Sequence, residues 1–190
     1  MRRRDFIAGL GGAAACPLAG RAQQPKMPVI GYLNSATESN NRNFAAAFRR
    51  GLSELGYVDG KNVSIEYHWM ESRYGQLPAM AADLVRRRVA VIVATGGTAV
   101  ARAAKSATST IPIVFVGGGD PIEVGLVASL NHPGGNVTGA AVLTTALTAK
   151  RLELLHELVP GAMAIGFLVN PTNPTVFKAE MMEAETAARG

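Results

Sequence analysis

From residue 28 onward the chain alternates between two kinds of apolar pattern. Short unbroken apolar runs occupy Val29–Leu33, Val89–Ala94, Ile111–Val116 and Ala164–Val169. Between them lie segments whose apolar residues recur at helical spacing. Phe44, Ala47, Phe48, Leu52 and Leu55 predict a helix over 44–55, stopped by Gly56 after a polar, turn-like stretch from Asn34 to Asn43. Leu77, Met80, Ala81, Leu84 and Val85 predict a second over 77–88, and small residues a third over 98–107. Asn62–Trp69 differs from both kinds, because Val63, Ile65, Tyr67 and Trp69 alternate with polar residues and predict a strand with one apolar face.

Strands separated by helices of this length imply parallel βαβ units. The nearly continuous apolar character of most strands fits a sheet covered on both faces. The expected fold class is therefore α/β, a doubly wound parallel sheet. Beyond residue 121 the spacing predicts a short helix at Ile122–Leu130, a turn at Asn131–Asn136 and a strand-like crossing at Val137–Leu143. Helices follow at Thr148–Leu158 and Val176–Ala188, with the apolar run Ala164–Val169 read as a strand between them. The expected organisation is a lobe over 28–144 with a hinge crossing near 137–144. Residues 145–190 then begin a second lobe that is incomplete, because a single βα unit has too little sheet to bury its own faces.

Residues 1–24 have a different character. Arg2–Arg4, an apolar stretch from Phe6 to Ala19 and the small-residue exit Gly20-Arg21-Ala22 are the parts of an export signal. The stretch is shorter than the ~20 apolar residues a membrane span requires. Arg3-Arg4-Asp5-Phe6-Ile7 resembles a twin-arginine signal, with Arg2 and Ala8 as departures and an ordinary Sec signal as the alternative. The expected location is the periplasm. Cys16, the one cysteine, follows three alanines and faintly resembles a lipoprotein acylation box, so a lipid anchor there is the minority reading. Cleavage after Ala22 would leave neither a disulfide nor a thiolate.

Charge changes the picture little. The formal net charge is +5, but Arg2, Arg3, Arg4 and Arg21 stand against only Asp5 in the first 22 residues, so most of it belongs to the signal. Arg86-Arg87-Arg88 closes a predicted helix, where cations complement the macrodipole. No nucleic-acid partner is expected. His68, His132 and His156 lack metal-ligand spacing, so no metal and no cofactor is expected either.

An ordered set of motifs then carries a resemblance. Ser35-Ala36 follows the first strand, and the next helix ends Gly51-Leu52-Ser53-Glu54-Leu55-Gly56-Tyr57 before Gly60-Lys61-Asn62-Val63. Val93-Ala94-Thr95-Gly96-Gly97-Thr98 opens a helix ending Ala104-Lys105-Ser106-Ala107-Thr108, and Ile111-Pro112-Ile113-Val114-Phe115 follows. Gly119-Asp120-Pro121, Gly125–Leu130, Pro133–Gly139 and Leu168–Pro174 complete the series. Over residues 28–190 the chain resembles the substrate-binding proteins of ABC importers, in the family that includes the tryptophan-binding TrpX type. That resemblance implies a type I periplasmic-binding-protein fold of two similar lobes closing over a ligand. It also implies a body about twice this long, and a membrane permease as partner.

The residues supply a physical site. In open α/β sheets, ligands bind beyond the carboxyl ends of the strands. Ser35 and Ala36 follow the first strand, and Thr95, Gly96, Gly97 and Thr98 lead from a strand into a helix N-terminus that favours an anion. Gly119 and Asp120 follow the next strand, with a carboxylate that could pair with an ammonium group. Asn170 and Asn173 could face the same cleft from the second lobe. An anion site beside a carboxylate suits an amino-acid zwitterion. Each element also has a plainer use, as a helix cap at Ser35 or Thr37, a tight turn at Gly96-Gly97, a helix start at Asp120-Pro121 or a Pro-terminated turn at Asn170–Pro174. Tyr67 and Trp69 share a strand face and read first as core.

The leading expectation is a non-catalytic, monomeric solute-binding protein that captures an amino acid or related carboxylate and delivers it to a permease. The alternatives are a ligand-sensing receptor ectodomain and an exported enzyme. No nucleophile elbow, metal cluster or pair of carboxylates on one loop supports the enzyme.

Overall fold

A computed structural model of the chain describes residues 27–71, 73–142, 147–170 and 174–188. The expected export signal, Cys16, Asn173 and part of the expected hinge therefore lie outside the described residues. The first element is β1 (Val29–Asn34), and its side chains divide between two faces as the strand period dictates. Ile30 and Tyr32 turn one way, Leu33 the other. Helix α1 (Glu38–Glu54) follows, then β2 (Ser64–Trp69), α2 (Leu77–Arg86), β3 (Val91–Thr95), α3 (Thr98–Ala107) and β4 (Ile113–Gly117). After a long turn region come β5 (Val137–Ala141), α4 (Thr148–Leu158) and α5 (Pro174–Ala187).

The five strands form one sheet in the order β2-β1-β3-β4-β5, and every pairing is parallel. The expected doubly wound α/β sheet is therefore present. One face carries the larger core, where Leu33, Ile92, Ala94, Ile113 and Phe115 meet Leu84 of α2 and Val100, Ala101 and Ala104 of α3. The other carries Ile30, Tyr32, Val63 and Val93 under Phe48 and Leu52 of α1. Gly31 is needed beneath α2, because a Cβ there would lie 2.7 Å from Leu84 Cδ2. Val137 of β5 belongs to the larger core, and α4 packs against α5, which also reaches α3.

Three local expectations are corrected. The polar stretch before residue 44 is helical from Glu38, since the Thr37 hydroxyl caps the helix by accepting from the Asn40 N–H. These first turns are largely exposed and so carry no apolar signal. The segment Ile122–Leu130 is a series of turns instead of a helix. It makes a single turn, with Val124 N–H donating to Asp120 O, before Gly125 takes a positive φ and stops it. The apolar run Ala164–Val169 is not a strand. A strand needs a neighbour to satisfy its backbone, and none of the described residues pairs with this run. Arg86–Arg88 is exposed at the end of α2, as its sequence suggests, with Arg86 on Asp83 at 2.7 Å and Arg87 on Glu66 at 2.9 Å. Among the described residues no helix is long and apolar enough to cross a membrane.

Candidate ligand-binding site

Because β1, β3 and β4 are parallel neighbours, the loops leaving their carboxyl ends converge on one edge of the sheet. Their contacts are specific. Asn34, the last residue of β1, donates from its amide nitrogen to Thr95 Oγ1 at 2.7 Å and to Asn41 Oδ1 at 3.3 Å. Its amide oxygen accepts from the Ala36 N–H at 2.7 Å, which folds the β1 loop back on itself. Ser35 Oγ donates to the Gly96 carbonyl at 2.6 Å. These bonds join the first and second loops into one surface. They also account for the burial of Asn34 and Ser35, since buried polar groups are costly unless bonded.

Gly96 and Gly97 connect β3 to α3 at φ of 84° and 120°, backbone that side chains disfavour. A Cβ on Gly96 would also lie 2.5 Å from Ser35 Oγ. The turn delivers α3 with Gly97 at its N-cap and no side chain capping it. The first N–H groups of a helix lack intrahelical partners and carry the positive end of its dipole. Here the Val100 N–H already donates to the Gly97 carbonyl at 3.2 Å, and Thr98 at the helix start is buried. The third loop packs against the same point, and a Cβ on Gly119 would stand 3.1 Å from Thr98 Oγ1. Glycine at that position keeps the space in front of the helix end clear.

Ser35, Ala36, Thr95, Gly96, Gly97, Thr98 and Gly119 thus gather at one sheet edge. Asp120 follows at its rim, exposed, where its Oδ1 accepts from the Ile122 N–H at 2.8 Å and the Glu123 N–H at 3.3 Å. One carboxylate oxygen therefore holds its own turn. Asn170 is exposed, and Asn173 falls outside the described residues. The sequence reading placed Asn34 at the end of the first strand without giving it a role, and took Asn41 only as part of a turn-like stretch. The available signal was an asparagine closing an otherwise apolar strand. Among the described residues no cluster of metal-ligating side chains occurs.

The model of the ABC transporter substrate binding protein family matches residues 40–190. The chain belongs to this family. Among relatives of this binding-protein family, it is 37% identical over 123 residues to the "Tyrosine-binding protein" of Clostridioides difficile strain R20291, covering 65% of this chain and 35% of that protein. Solved structures with the same fold include a conserved domain protein from Vibrio cholerae (TM-score 0.71, 28% identity, 85% of this chain and 54% of that one). A second is an ABC domain in complex with L-Trp from Streptococcus pneumonia (TM-score 0.68, 27% identity, 85% and 55%). A third is a ligand-free, open substrate binding protein with adhesive properties from Clostridium difficile (TM-score 0.56, 26% identity, 84% and 54%). The chain spans about a third of the length of the curated relative and slightly more than half of each solved neighbour. The family-level expectation and the fold class therefore both hold.

Proposed function

We propose that the chain is the solute-binding part of an ABC importer, capturing an amino acid or related carboxylate at the strand-end edge and handing it to a membrane permease. The observation that carries this reading is the uncapped N-terminus of α3 behind Gly96-Gly97, held against the β1 loop by Ser35 and Asn34. A ligand carboxylate would accept from the α3 N–H groups and from Thr98, and Asp120 would take the ammonium. Tyrosine and tryptophan are the first candidates, since relatives are named for one and solved with the other. Binding needs no catalytic step.

In this reading residues 28–144 form the first lobe and residues 145–190 begin the second, whose Asn170 and Asn173 approach the ligand from the opposite side. Closure stabilises the bound state through contacts to both lobes. Residues 1–24 direct export to the periplasm, where the protein works as a monomer.

The test is a thermal-shift screen of protein unfolded and refolded to strip bound ligand, against amino acids, other small carboxylates and sugars. Ligand at one hundred times its dissociation constant should stabilise by about 2.7 kcal/mol. A shift confined to one carboxylate class, with the compound recovered unchanged, supports the reading. A flat panel removes the amino-acid assignment, and a consumed compound points to an enzyme.

A further inference from the structure

The segment that follows β4 meets α3 at both ends of the helix. A Cβ on Gly119 would stand 3.1 Å from Oγ1 of Thr98, the first residue of α3. Lys105, in the last turn of α3, donates from Nζ to the carbonyls of Gly125 at 2.6 Å and Leu126 at 3.1 Å. Thr98 and Lys105 are seven residues apart, two turns of helix and about 10 Å along its axis, so they share one face.

Asp120 lies between these two contacts. Its Oδ1 accepts from the Ile122 and Glu123 N–H groups, which starts a single turn. The turn closes with the Val124 N–H on Asp120 O and the Leu126 and Val127 N–H groups on Pro121 O. Gly125 then takes a φ of 69°, so no further helical turn offers N–H donors to the last carbonyls. Lys105 offers its ammonium to two of them instead. The turn is thus held by a carboxylate at its N–H end and by an ammonium at its carbonyl end. A lysine in the last turn of a helix already complements that helix's own dipole. That use needs no second segment, whereas here the ammonium reaches carbonyls 20 and 21 residues away.

We propose that Lys105 is a positioning residue for ligand selectivity. By holding the far end of the 120–126 turn it fixes Asp120 at the strand-end edge, and so sets the preference for amino acids over carboxylates that lack an amino group. The inference rests on the reading above, in which Asp120 takes the ligand's ammonium. Lys105 stands two turns from the α3 N-terminus and acts only through Asp120. An ion pair exposed to water gains little when its side chains must first be ordered, so its strength depends on how firmly the carboxylate is held beforehand. A ligand without an ammonium makes no use of Asp120, and its affinity does not depend on Lys105.

The probes are L-tyrosine and 3-(4-hydroxyphenyl)propionate, which keeps the ring and the carboxylate and lacks the amino group. Calorimetry on the refolded full chain should show tyrosine bound at least about tenfold more tightly. Lys105→Met keeps most of the stem and should weaken tyrosine about fivefold, the upper end for one exposed charged contact, while leaving the analogue unchanged. Lys105→Arg keeps a cationic donor and should restore tyrosine affinity. In an Asp120→Asn background Lys105→Met should cost nothing more. Equal weakening of both probes by Lys105→Met, or the same loss in the Asp120→Asn background, would show a general structural role and overturn the proposal.

Hydrogen exchange in the ligand-free protein separates this inference from the reading it rests on. Lys105→Met should speed exchange of the Ile122 and Glu123 N–H groups and leave the Ala36 N–H, on the β1 loop, unchanged. Unaltered exchange at Ile122 and Glu123 overturns positioning by Lys105, whatever binds. Faster exchange in a protein that binds neither probe overturns the ligand reading, and the selectivity with it, and leaves the hold of Lys105 on the turn intact.

Discussion

Asn34 and Thr95 are bonded at 2.7 Å across 61 residues of sequence, through an asparagine amide that is only 1% exposed. The contact ties the end of β1 to the end of β3, so the two loops of the proposed ligand edge share one rigid base. Asn34→Ala removes both donations and leaves the Ala36 N–H without its acceptor. The expected cost is about 2 kcal/mol of stability, read as a lower urea midpoint at unchanged slope. Thr95→Val keeps the shape and removes one acceptor, so it should cost less. An unchanged midpoint for Asn34→Ala would mean that the network does not brace the edge.

Two glycines should respond to alanine with opposite signs. Gly96 has φ of 84° and lies against Ser35, where a Cβ would come within 2.9 Å of the backbone nitrogen. Gly96→Ala should therefore destabilise by at least ~1 kcal/mol and weaken ligand binding, because it displaces the start of α3. Gly51 lies inside α1 with nothing within 4 Å of an added Cβ. Gly51→Ala should stabilise by about 0.5–1 kcal/mol, since glycine is the poorer helix former there. Thermal unfolding of the pair checks both signs in one experiment.

The alternation of strands and helices was legible because each element carries its own period. The small-residue run Thr98–Ala107 reads as a helix and is one over the same residues, and the β-branched run near residue 91 is a strand. The strand-end loops were legible as neighbours because a parallel sheet sends them all to the same edge. What pattern alone does not contain is pairing between distant residues. Asn34 and Thr95 meet only because β1 and β3 take the register Asn34↔Thr95, which no local signal specifies. Ala164–Val169 shows the same point from the other side, as an apolar run that becomes a strand only beside a partner.

The fit between Gly31 and Leu84 yields a test of packing. An added Cβ at Gly31 would meet Leu84 Cδ2 at 2.7 Å and Cδ1 at 3.0 Å, in a core where Leu84 is fully buried. Gly31→Ala alone should destabilise by about 1–3 kcal/mol through overpacking, and Leu84→Ala alone by about 2–5 kcal/mol through the cavity it leaves. Together they should cost less than the sum, because the new methyl enters the space the leucine vacates. A double-mutant cycle measures that coupling, and additive effects would show that α2 shifts to relieve the contact.

Tyr67 makes the stability depend on alkaline pH. Burial, the largest influence, raises its hydroxyl above the ordinary value of 10.0, and Asp59 adds to this while Arg49 opposes it. A group whose folded-state pKa is raised holds its proton more tightly when folded. Its contribution is therefore fully present below the unfolded value near 10 and is lost as pH rises through the higher folded value. Urea midpoints should fall more steeply above about pH 10 in the native sequence than in Tyr67→Phe, which has no proton to lose there. Comparing the two proteins subtracts the other tyrosines and the lysines, which titrate in both. Equal slopes would mean that water reaches the hydroxyl freely.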